Sequence, residues 1–181
     1  MTPAPARHTI SARQRTHPHY KRAEALQIIG PLLRGDRLTF AGRYHQVRDA
    51  VLLPPPDRPI PILVAGHRPR MLRLTARYAD AWNTAWFGLP DGRLGQRLGD
   101  MHSALQAENR DPATLRWTVG MDCELTDAGQ TGGSFAGAGE LARAIDAYER
   151  LGIDDLIVSL QPSTQQGLDR LARAMTIRGG A

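Results

Sequence analysis

Apolar positions change their period several times along this chain, and each change marks an element. Ala25, Leu26, Ile29, Leu32 and Leu33 are spaced for one face of a helix that should end near Gly35. Gly30-Pro31 interrupts that stripe and removes a backbone donor, so a kink or break is expected there. Leu38, Phe40, Tyr44 and Val47 flank Ala41-Gly42-Arg43 in the manner of a small hairpin. Pro54, Pro55, Pro56, Pro59 and Pro61 then impose an extended connection, because each ring fixes φ.

Beyond residue 60 the pattern becomes regular. Ile62 to Ala65 is a short apolar run between Pro61 and Gly66, as expected of a strand buried on both faces. Pro69 suits a first helical turn, and Met71, Leu74, Thr75 and Tyr78 share a helical face. Ala79 to Ala85 reads as a second strand, and Leu94, Leu98, Met101 and Leu105 mark a helix that stops before Asp111-Pro112. Alternation from Trp117 to Leu125 gives a third strand, and the small polar stretch Thr126 to Gly139 is expected as a mobile loop. Leu141, Ala144, Ile145, Tyr148 and Leu151 form a helical stripe closed by Gly152; Leu156 to Leu160 is a fourth strand, and Leu168, Leu171, Ala172 and Met175 a last helix. Four strand-then-helix units with short connections predict an α/β fold with parallel strands joined by right-handed crossovers. Periodicity leaves open whether that sheet is an open sheet or part of a barrel.

Composition narrows the picture. The 181 residues can bury a core but fall short of a complete (βα)8 barrel, which takes about 250 residues. Residues 1–22 carry no apolar period and much Pro, Arg, His and Thr, so a disordered basic arm is expected there, followed by one domain over 23–181. The net charge of +5 raises a polyanion partner, yet the arginines are dispersed and no zinc, helix-turn-helix or RNP pattern accompanies them, so nucleic-acid binding is unlikely. His17 and His19 lack acidic or cysteine partners nearby, so no metal site is expected. Cys123 is the only cysteine, which excludes an internal disulfide and fits a reducing, cytoplasmic setting. No apolar run is long enough to span a bilayer.

Several motifs, in order and spacing, resemble luciferase-like monooxygenases and F420-dependent oxidoreductases. They are the Leu32-Leu33 helix end, the hairpin Phe40-Ala41-Gly42-Arg43-Tyr44, the run Pro61 to Gly66, and the stretch Leu74-Thr75-Ala76-Arg77-Tyr78-Ala79-Asp80-Ala81-Trp82-Asn83. The closing pieces Gly139-Glu140-Leu141 to Tyr148 and Leu151-Gly152-Ile153-Asp154 fit the same family, so the resemblance covers about residues 23 to 178. It implies a partial TIM barrel: the C-terminal four βα units, preceded by a helix and a small hairpin. It also implies an oxidoreductase holding FMN or coenzyme F420, truncated here because the family's first four strands have no counterpart.

Active sites of such barrels gather at the C-terminal ends of strands. Gly66, His67 and Arg68 follow one strand and open a helix, where backbone amides, the helix dipole and a guanidinium suit a cofactor phosphate. A plain strand-to-helix turn with solvated arginines is the competing reading. Asn83, Thr84 and Trp86 close the next strand and would face the barrel mouth. Trp82 or Trp86 either stacks near an isoalloxazine or is a buried structural indole. Asp80 is better read as a carboxylate receiving hydrogen bonds at a helix-to-strand turn, Glu140, Asp154 and Asp155 as helix-start and loop acids, and Cys123 as a buried small hydrophobe. The catalytic residues are not assigned by the sequence. The expected partners are a small-molecule substrate and either a second copy, as a homo-oligomer, or a complementing chain. The alternative is a noncatalytic barrel fragment, or a cofactor-binding module without turnover.

Overall fold

The computed structural model describes residues 18–125, 134–135 and 137–179, in two compact units, residues 1–60 and 61–181. In the first unit α1 runs Pro18–Leu33, and β1 (Leu38–Ala41) pairs antiparallel with β2 (Gln46–Ala50). The helix therefore begins inside the stretch expected as an arm, and it runs through Pro31 to Leu33 rather than breaking there. Residues 1–17, with His8 and His17, lie outside the described residues. The Glu24 carboxylate accepts the backbone N–H groups of Arg43, Tyr44 and His45 at 2.9, 2.8 and 2.8 Å, fastening the hairpin turn to α1. Partial desolvation alone would raise the Glu24 pKa; the amides of Tyr44, His45 and Arg43 outweigh it, and the net shift is downward.

The second unit is the predicted alternation. β3 (Leu63–Ala65), α2 (Pro69–Tyr78), β4 (Ala81–Phe87), α3 (Gly92–Ala107), β5 (Arg116–Leu125), β6 (Ser134–Phe135), α4 (Ala138–Arg150), β7 (Asp155–Gln161) and α5 (Gln165–Gly179) follow in order. The four main strands lie side by side as β3-β4-β5-β7, every pairing parallel. Short β6 adds to the end of β5 through Glu124↔Ser134 and Leu125↔Phe135, inside the stretch expected as a loop. Residues 126–133 and 136 of that stretch lie outside the described residues.

The core sits between one face of this sheet and its helices. Trp82, Val119, Met121 and Cys123 point into it and meet Leu94, Met101, Leu105, Leu141 and Tyr148. Trp82 meets Trp117 edge-on with ring centroids 5.5 Å apart, a geometry worth about 0.5–1.5 kcal/mol beyond area burial. The Tyr148 hydroxyl donates to the Gly88 carbonyl at 2.8 Å. Burial and, secondarily, Asp91 and Asp122 push that phenol well above its ordinary pKa, which keeps it a donor.

Acids at the turns have the structural roles expected of them. Asp80 accepts from the Ile62 N–H at 2.7 Å and Asp154 from the Trp117 N–H at 2.7 Å, each carboxylate joining a strand start to its neighbour. Asp155 pairs with Arg116.

One expectation is corrected. The run at Ile62 to Ala65 was expected to form a strand buried on both faces, yet only Val64 is buried in β3 while Leu63 and Ala65 are exposed. A parallel strand is covered on both faces only when its sheet closes or carries helices on both sides. Among the described residues, the helix layer covers one face of this sheet.

Candidate active site at the carboxyl ends of the strands

Because the four strands are parallel, the turns after β3 and β4 emerge on one rim. Gly66 follows β3 directly with φ +147°, a conformation that disfavours residues bearing a Cβ. A Cβ there would also stand 3.1 Å from Met71 Cβ. Its amide is already committed, since Gly66 N–H donates to Asn83 O at 3.2 Å, and its carbonyl accepts the Trp82 indole N–H at 2.7 Å. The glycine therefore shapes the turn, and any anion contact falls to the residues after it. His67, Arg68 and Arg70 are exposed there. Arg68 is the N-cap of α2 and gives no side-chain cap bond, Pro69 holds the first helical position, and no acid lies in the first turn. The dipole and two guanidinium groups make that end electropositive.

Asn83 and Thr84, adjacent in β4, point to opposite faces. Asn83 lies on the uncovered face, and its amide nitrogen donates to Thr118 Oγ1 at 2.9 Å. Thr84 is fully buried on the helix side, where its hydroxyl accepts from Arg97 Nη1 at 3.1 Å; the same nitrogen reaches Ala85 O at 3.2 Å. The structure thus brings Asn83 but not Thr84 to the uncovered face.

The two indoles of β4 sit in different environments. Trp82 is completely buried, whereas Trp86 is 50% exposed. Trp86 lies inside β4, which extends to Phe87 rather than ending at Ala85. Its six-membered ring rests on the backbone of Gly120, where an added Cβ would fall 2.5 Å from Trp86 Cε3. A flat apolar plate is thereby held over the open side of the sheet near the rim that carries the Gly66 turn.

The sequence reading missed Gly120 and Asp122. Gly120 sits in the polar phase of the β5 alternation, and a glycine between Thr118 and Asp122 on that phase was the available signal. Asp122 projects from the same face one pleat nearer the rim, opposite Ser159 of β7. Cys123 points the other way and is fully buried, which pushes its thiol up to about 11 and leaves it protonated and inert. Among the described residues no group of three or more His, Cys, Asp or Glu side chains could hold a metal ion. No helix among them is long and apolar enough to cross a membrane.

Known proteins agree with this architecture. An F420-dependent secondary alcohol dehydrogenase, solved with an F420-acetone adduct, superposes with a TM-score of 0.74 over 94% of this chain and 64% of its own, at 15% identity. An F420-dependent hydroxymycolic acid dehydrogenase of Mycobacterium tuberculosis is 34% identical over 97 residues, 54% of this chain and 26% of that protein. An F420-dependent glucose-6-phosphate dehydrogenase of Microbacterium testaceum is 36% identical over 61 residues, 34% of this chain and 18% of that protein. The matched segments thus span about a quarter or less of these curated relatives. A model of the luciferase-like monooxygenase family matches residues 7–131, more than half of the sequence, and the chain belongs to that family.

Proposed function

We propose that this chain provides the phosphate-binding half of an F420-dependent oxidoreductase site, on a partial TIM barrel formed by the C-terminal four βα units. The observation that carries the reading is the uncapped, cationic start of α2 on the same rim as an exposed indole held flat by Gly120. His67 and Arg68 would hold a cofactor phosphate, Arg68 as a charge-assisted fork. Trp86 would offer its face to the ring system, and Asn83, tied to Thr118, would supply a fixed polar edge. These residues suit an elongated anion with an aromatic head, which describes both F420 and FMN; the F420-dependent relatives favour the former. When bound, F420 supplies the hydride exchange, and this chain's residues orient the group and neutralise its charge.

Titration of the purified chain with F420 and with FMN, read by cofactor fluorescence, tests the proposal. F420 should bind more tightly than FMN, and Arg68→Ala should weaken F420 by about tenfold, the scale of one lost charge-assisted contact. Thr84→Val, on the far face, should leave affinity unchanged. Absence of F420 binding, or equal binding by the Arg68 variant, would overturn it. Binding without oxidation of a reduced cofactor would instead identify a cofactor-binding module without turnover.

A further inference from the structure

The extra residue in β4 and the arginine that grips it carry a second conclusion. Trp82, Thr84 and Trp86 share one phase of the strand, and a regular strand would send all three to the helix side. Trp82 and Thr84 are fully buried there, whereas Trp86 is half exposed with its ring on Gly120. The pairing with β5 shows where the phase changes, since Thr84 is level with Val119 and Phe87 with Met121. Ala85 and Trp86 therefore stand together opposite Gly120, two residues against one, which is a β-bulge. The bulge moves the indole to the open face and returns Phe87 to the core.

Arg97, in the second turn of α3, meets the residues on both sides of that indole. Its Nη1 donates to Thr84 Oγ1 at 3.1 Å and to Ala85 O at 3.2 Å, and its Cζ stands 5.2 Å from the centre of the Phe87 ring. A bulge disrupts the ladder locally, so a backbone acceptor within it needs a donor from elsewhere, and the helix layer provides one. The planar guanidinium can bond the Ala85 carbonyl and lie over Phe87 at once only while the backbone between them is folded up. Trp86, between those two contacts, is turned to the opposite face. Arg93 also lies over Phe87, at 5.6 Å, but its Nε bonds Asp91 at 2.8 Å.

We infer that Arg97 is a positioning residue: from the covered side of the sheet it holds the β4 bulge, and the bulge sets the Trp86 indole on the open side. The bearing on F420 rests on the cofactor reading above; the positioning itself does not. Bulges next to active sites commonly re-aim a side chain, and here a cation behind the sheet fixes the aim. Gly120 leaves room beneath the ring, while Arg97 sets the backbone that delivers it. Because the clamp lies behind the sheet, it does not compete with a ligand for the indole's exposed face.

The full chain labelled with fluorotryptophan carries three indoles, so its fluorine spectrum should show a line for each, with Trp86 assigned by the line lost in Trp86→Phe. Arg97→Met keeps the aliphatic stem and removes the donors. Its Trp86 line should shift and broaden, while the lines of Trp82 and Trp117, both in the core, hold their wild-type positions. Arg97→Lys restores a donor to the bulge and should bring the Trp86 line back towards its native position. Arg93→Met removes a neighbouring cation and Thr84→Val a buried acceptor, yet neither takes the donor from Ala85, so both should leave the line in place. In a titration with F420, Arg97→Met should weaken binding by about two- to tenfold, the range of one lost ring contact, with no further loss when Trp86→Ala is added.

An unmoved Trp86 line in Arg97→Met, a shift as large in Arg93→Met or Thr84→Val, or a further loss of affinity in the double variant would each overturn the inference. If Arg97→Met does not fold, Arg97→Gln, whose amide stops short of the Ala85 carbonyl, decides by the same criterion. Failure of F420 to bind the wild-type chain, or binding indifferent to a displaced indole, would sink the cofactor reading and leave the fluorine spectrum to decide this one.

Discussion

The contact between Trp86 and Gly120 illustrates how one residue's absence of side chain positions another's presence. Gly120→Ala would place a methyl 2.5 Å from the indole, closer than Cβ atoms approach, and the ring has to swing away from the sheet. The half-exposed indole has solvent on its other side, so the cost should be moderate, about 1–3 kcal/mol as for other overpacked contacts. Adding Trp86→Ala should recover most of that loss, giving a coupling energy of the same size and opposite sign in a double-mutant cycle of denaturant midpoints. Additive losses would show that the indole does not rest on Gly120. At this scale the sequence was least legible. Apolar alternation placed Cys123 and Trp117 correctly, but it could not distinguish Trp82, buried with its N–H on Gly66 O, from Trp86, laid on the open face. Both indoles follow an alanine in the same strand; only the bulge between Thr84 and Phe87 in the pairing with β5 separates their environments.

Elements are joined in this fold by short carboxylate bridges, and these give stability a pH dependence of known sign. Asp155, at the start of β7, is held below the ordinary carboxylate range by its hydrogen bonds from Arg116, which outweigh an opposing desolvation, and that guanidinium's charge adds a smaller downward pull. A carboxylate whose folded pKa is depressed adds stability that is fully present above its unfolded pKa, near 3.8, and is lost as pH falls through the lower folded value. Asp155→Asn should therefore lower the melting temperature at neutral pH, and the difference from wild type should shrink below pH 4 and vanish once the native carboxylate is protonated. Because both side chains are substantially solvated, the effect should also diminish in high salt. A difference that persists unchanged at acid pH would locate the loss in packing instead. Element order was the most legible level of all: every helix and strand expected beyond residue 60 is present and the four main strands are parallel, because apolar strands and amphipathic helices leave strong, distinct periods. The exceptions have physical reasons. β6 is two residues long, too short for any period, and the helix start at Pro18 lies in polar residues whose composition resembles an arm.

For the whole molecule, the sheet has one face under helices and one face open among the described residues, and stability should divide accordingly. Apolar periodicity did not announce which face of the sheet would lie open; that required the strand order and the exposure of Leu63 and Ile157. Met121, fully buried on the helix side, and Ile157, 44% exposed on the other, sample the two faces. Met121→Ala leaves a cavity in the core and should cost about 2–5 kcal/mol, read as a lower denaturant midpoint. Ile157→Lys should cost under about 0.5 kcal/mol, as substitutions at exposed positions do. Its secondary structure should survive, because Ile157 is not in the buried core of the single chain. Equal losses from the two substitutions would show that the open face carries as much of the stability as the helix-covered one.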